Sequence, residues 1–110
     1  MIRSITLGLN TRNVDFSVLE KRAPIFFNTA CRAFEDNSLS VRTKRIGLSS
    51  FNIKNLSDKA DALQAINSIS EICKKNDIRW FSVPFNMVGQ NHDLTSTTAL
   101  EVINKHDNSF

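Results

Sequence analysis

A chain of 110 residues with 41% apolar and 23% charged side chains holds one domain or part of one, and its apolar content argues against disorder throughout. Its net charge is +3, from 14 Lys and Arg against 11 Asp and Glu; so small and scattered an excess describes a mildly basic surface and argues against a nucleic-acid footprint. No stretch approaches the ~18 apolar residues that span a bilayer, and no apolar h-region of a secretory signal follows Met1, so a cytoplasmic protein away from membranes is the expectation.

Ile5, Leu7 and Leu9 alternate with Ser4, Thr6 and Gly8. Period two predicts a strand with one apolar face and one face of small residues, where something packs closely or a ligand has room. Asn10 to Asn13 reads as a loop. Asp15 or Ser17 then caps a helix whose apolar stripe is Phe16, Leu19, Ala23, Phe26, Ala30 and Phe34, broadened by Ile25, Phe27 and Cys31. Pro24 lies inside this pattern and is expected to kink the helix or shift its start. Asn37-Ser38 breaks the periodicity. Ser40 to Leu48 alternates again, with Val41, Thr43 and Arg45 on one face and Arg42, Lys44, Ile46 and Leu48 on the other.

Gly47 to Asn55 reads as a loop, and Ser57 as the cap of a second helix with Leu56, Ala60, Leu63, Ile66, Ile69 and Cys73 on one face. Lys74 and Lys75 suit the negative end of its dipole, and Asn76-Asp77 turns the chain. Ile78 to Val83, rich in β-branched and aromatic residues and ending at Pro84, predicts a third, largely buried strand. Phe85 to Asn91 is a loop. Asp93 is the expected cap of a short last helix carrying Leu94, Leu100 and Ile103, followed by a frayed tail from Asp107 to Phe110.

The fold class is therefore α/β, in the order βαβαβα with a small parallel sheet, because strands joined by helices of this length pair in parallel through right-handed crossovers. Residues 1–90 form a partial α/β domain; residues 91–110 add the short helix and tail. A parallel sheet is normally covered on both faces, and its edges invite pairing. Two helices cover one face well, not both, so completion by self-association or by a complementary chain is expected.

The opening Ile2 to Asn10, the segment Ala30-Cys31-Arg32-Ala33-Phe34-Glu35-Asp36, the strand Val41 to Ile46 with its Ser49-Ser50-Phe51 continuation, and Ile78 to Val88 together resemble the beginning of the domain-of-unknown-function 711 family, the uncharacterised PFL family proteins. The resemblance covers residues 2 to about 90 and nothing after Gly89. It implies the opening part of a larger α/β barrel with the fold of glycyl-radical enzymes, and hence a truncated or shortened family member. It carries no established activity, so it assigns no catalytic residue. Ser49-Ser50 stands where the family often has Pro-Pro, and Pro24 where it has a helix-compatible residue.

Glycyl-radical chemistry needs a Gly on an Arg-containing C-terminal loop and a Cys at a buried loop tip; Gly8, Gly47 and Gly89 lack that context, and Cys31 and Cys73 fall within helices. The two cysteines read as reduced core residues. His92 and His106 are too far apart, and too far from either cysteine, for a zinc pattern, and read as solvated; a Cys-His nucleophile pair has no local signature, and burial would blunt the thiol. Gly8 belongs to no phosphate-binding motif and reads as a turn or a packing position. No metal and no cofactor is expected. Arg42, Lys44 and Arg45 form the densest charge cluster. Arg45 shares a face with Val41 and Thr43; pointing inward, it would need a partner or an anion.

The first functional expectation is a non-catalytic segment that associates with itself or with another chain. The second is a small-molecule enzyme whose active site, taking an anionic metabolite, forms only on assembly around Arg45, Thr6 and Ser82. Nucleic-acid binding through the basic second strand is the weakest, because Trp80 and Phe81 read as parts of a buried strand and not as an open stacking platform.

Overall fold

The computed structural model describes residues 1–11, 15–87 and 91–110, so the expected turn at Arg12-Asn13 and the end of the resemblance at Gly89 lie outside the described residues. Among these, the elements are β1 (Ile2–Leu9), α1 (Phe16–Glu35), β2 (Val41–Leu48), α2 (Leu56–Lys75), β3 (Trp80–Ser82) and α3 (His92–Lys105). The sheet is parallel with order β1-β2-β3. Sequential strand order with crossovers of one hand puts α1 and α2 on the same side. The core lies there: Leu19, Ala23 and Phe27 of α1 and Ile66, Ile69 and Cys73 of α2 are buried against Ile46, Leu48 and Phe81. α3 packs on α2 and contributes Val102.

Local signals set the element ends. Asp15 caps α1: its carboxylate accepts from the Ser17 hydroxyl and from the backbone N–H groups of Val18 and Ser17, and these bonds, the hydroxyl's first, hold its carboxyl below the ordinary value. The helix runs on through Pro24. Ser38 and Asp77 take left-handed φ values of 62° and 55° where the helix–strand turns reverse the chain. The cap of α2 is Asn55, not Ser57, and that of α3 is Asn91, not Asp93. In both cases an Asn carbonyl sits one residue before the helix, and the acidic side chain falls in the first turn.

Burial departs from the expected stripes. Phe27 fills the core while Phe26 is 39% exposed. Ala60 and Leu56 face water, and Ala62 and Ile72 take their place. In α3, Leu100 and Ile103 are exposed and Thr95, Thr98 and Val102 are buried. The threonines tolerate this because their hydroxyls donate to the carbonyls one turn back, Asn91 and Leu94, both at 2.7 Å, leaving their methyls to pack.

Two segments expected to be loose are ordered. The loop after β2 sends Phe51 and Ile53 into the core, and Phe51 pairs in parallel with Phe85 beyond the end of β3. The tail from residue 107 does not fray: Phe81 N–H donates to Asn108 O, Phe110 N–H to Phe81 O, and Val83 N–H to Phe110 O. It lies parallel to β3 as a rudimentary fourth strand. His106, read as solvated, is 6% exposed, edge-on to Phe81 at 6.2 Å. β3 is itself shorter than the stretch from Ile78 to Val83, and Trp80 is only half-buried.

Phe81 lies where sheet, α2 and tail meet, so Phe81→Ala is expected to cost about 3–5 kcal/mol. Leu100→Ala, at an exposed position, is expected to stay within about 0.5 kcal/mol. Denaturant midpoints at constant m-value measure both, and similar losses for the two would refute this placement of the core.

Candidate functional site

Parallel register decides which side chains share the face away from the helices. Thr6 pairs with Arg45 and Arg45 with Trp80; one step further along, Gly8 pairs with Gly47 and Gly47 with Ser82. Paired residues of adjacent strands point the same way, so Thr6, Arg45 and Ser82 do lie on one face, together with Ser4, Thr43 and Trp80. No helix covers this face among the described residues. A Cβ built on Gly47 would stand 3.4 Å from Thr6 Cγ2 and 3.7 Å from Ser82 Oγ. The glycine is thus the floor between two hydroxyl-bearing side chains.

Arg45 is half-buried. Its guanidinium carbon lies 5.8 Å from the centroid of the Phe110 ring, which meets Trp80 edge-on at 6.5 Å. Its Nε is buried and has no hydrogen-bond partner. A delocalised cation against aromatic faces is favourable, yet a buried N–H without an acceptor carries a desolvation cost that an anion would relieve. The three side chains can hold a carboxylate or similar small anion through one guanidinium and two hydroxyls. They supply no acid–base or nucleophilic pair.

At the carboxyl ends of the strands, Gly8, Gly47, Ser49, Ser50 and Asn52 line an open hollow of about 650 Å³. Ser49 Oγ accepts from Thr11 N–H at 2.9 Å and bonds Thr11 Oγ1 at 2.8 Å, tying the two loops together. Ligands of open α/β sheets gather at this end. Sequence reasoning read Gly8 as a turn or packing position; in the fold a Cβ there would meet nothing within 4 Å. The cross-strand glycine pair is the signal that could have marked the hollow, once register was known.

The other candidates separate. Cys31 and Cys73 are free thiols, and burial pushes Cys73 up to about 12, which keeps it protonated and inert. No cluster of His, Cys, Asp and Glu suited to a metal occurs among the described residues, and no described helix is long and apolar enough to cross a membrane. No family model matches the chain, and no match is found among curated proteins or solved structures.

His106 is held below its ordinary value of 6.5, first by burial and then by the Lys105 and Lys74 charges, with Asp107 opposing. Protonation is easier in the unfolded chain, so this contribution to stability is complete above pH 6.5 and declines as pH falls from there through the lower folded value. Denaturation midpoints across that window are expected to drop in the wild type and to flatten in His106→Gln. An unchanged slope in the variant would assign the dependence elsewhere.

Proposed function

We propose that this chain is a sheet-supplying module that works by association, one α/β layer completed by a second copy or by a complementary chain, as expected of a barrel segment like the opening of the domain-of-unknown-function 711 family. The observation that carries the reading is the outer edge of β1. It is eight residues long, contains no proline, and has one charged residue, Arg3, so it lacks the devices that guard a free edge. Beside it, Leu7, Leu9, Val18, Leu19, Ala23 and Phe26 line an apolar hollow of about 450 Å³. Val18 and Phe26 are 42% and 39% exposed in this lining, which a neighbouring helix or strand would cover. The layer is also extended: its radius of gyration is 15.2 Å, against about 13 Å for a compact chain of this size.

Light scattering on a sizing column is the test. A dimer or larger species is the expected outcome; a stable, monodisperse monomer across micromolar concentrations contradicts the proposal.

A second reading is supported by the unpartnered Nε of Arg45. The face of Thr6, Arg45 and Ser82 takes a small anionic metabolite, with Arg45 as the charge partner and the two hydroxyls as donors. Nucleic-acid binding has less support, since Arg45 lies across the sheet from Arg42 and Lys44 and the basic residues of β2 present no single surface. A carboxylate panel in thermal-shift measurements is expected to raise the wild-type midpoint, and Arg45→Ala to abolish that rise while still folding. No protection by any carboxylate would sink this reading.

A further inference from the structure

The molecule holds a second basic site that neither reading uses. On the helix side of the sheet, at the amino end of β2, a cleft of about 610 Å³ runs between the last turns of α1 and the turn into β3. Four cations line it: Arg32 from α1, Arg42 and Lys44 from β2, and Arg79 just before β3. Two carboxylates, Glu35 and Asp77, share the lining. None of the four cations forms an ion pair among the described residues, where the ion pairs are Lys59–Glu101, Lys74–Asp107 and Lys75–Glu20. The cleft therefore keeps an excess of two positive charges, and the carbonyl end of α1 offsets only about half a charge of it.

The cations are held by the fold. Lys44 alternates onto the core side of β2, where its register partner is Ile5, and it is half-buried at the foot of α1. Its carbonyl accepts from Arg79 N–H at 3.1 Å, which fixes the two residues side by side. Arg79 is exposed, with its guanidinium carbon 5.3 Å from the Trp80 ring centroid, so it reaches the cleft from the rim. Arg32 and Arg42 are exposed at the mouth. Guanidinium forks around a half-buried ammonium suit phosphate oxygens. The volume falls within the range of small-ligand sites, and no aromatic ring lines the cleft, so recognition is of phosphate charge and not of a stacked base.

We infer that this cleft binds a compact polyphosphate or phosphate ester carrying several negative charges. Lys44 sits at its floor, and Arg32, Arg42 and Arg79 clamp from the sides. The site stands independently of the association proposed above and lies across the sheet from Arg45.

Isothermal titration of the full chain with inorganic pyrophosphate at low salt tests it. Saturable binding is expected, about tenfold tighter than orthophosphate and weakening with added salt. Arg32→Gln/Arg42→Gln, both exposed and expected to fold normally by circular dichroism, should weaken it by at least about tenfold, as should Lys44→Gln. Lys21→Gln, an exposed cation outside the cleft, should leave it unchanged. The proposal is overturned if pyrophosphate does not bind, if the Arg32/Arg42 double variant binds as the wild type does, or if Arg45→Ala alone removes binding, which would place the anion on the open face. If Lys44→Gln unfolds, the double variant decides.

Discussion

The parallel pairing of β2 with β1 on one side and β3 on the other, in sequential order, is the constraint on which the rest depends. Two crossovers of the same hand put α1 and α2 on one face, and the whole apolar core follows them there. The opposite face then has no helix to bury against among the described residues, and most of its composition agrees: Ser4, Thr6, Gly8, Thr43, Gly47 and Ser82 expose little apolar area to water, while Ile2 and Val41 pair at its amino end. Arg45 and Trp80, further along, both meet the Phe110 ring.

The two edges of this sheet are treated differently. β3 has only three residues, too few to hold an edge alone, and it is supported from outside. The 108–110 tail supplies three backbone hydrogen bonds, and Ser70 Oγ anchors Asn108 Oδ1 at 3.1 Å. Exposed ion pairs such as Lys59–Glu101 at 2.7 Å add at most ~1 kcal/mol each, so burial and the ladder hold the α3 region in place. β1 is longer and has no such cover among the described residues, so one edge is closed from within and the other is left open for the association proposed above.

The element order and the parallel sheet were legible because helical and strand periods differ sharply in Phe16–Glu35, Leu56–Lys75 and the two eight-residue strands. The face shared by Thr6, Arg45 and Ser82 was legible from alternation, which needs only parity and register. The details that failed share a physical origin. Thr95 and Thr98 count as polar in any pattern, yet each satisfies its hydroxyl within its own helix turn and becomes a core residue, while Leu100 and Ile103 are left outside. Asn55 and Asn91 compete with a nearby Ser or Asp for the same capping role, and composition alone cannot rank them. The tail has no strand signature; β3 and Ser70 order it. The basic cleft was hidden because Arg32, Lys44 and Arg79 come from three separate elements.

Alternation along β2 separates two cationic environments. Arg42 and Lys44 turn toward the helices, and Arg45 toward the open face, so one short segment serves both sides of the sheet without concentrating its charge on either. On the open face, Phe110 covers Arg45. A cation–π contact at an accessible site is worth about 0.5–1 kcal/mol, whereas a hydrogen bond to a charged group is worth about 1.5–3 kcal/mol. An anion at the unpartnered Nε, as the second reading proposes, would therefore outweigh the ring. The backbone bonds of Phe110 to Phe81 and Val83 do not involve its ring, so the tail completes the β3 edge and covers the arginine through separate groups.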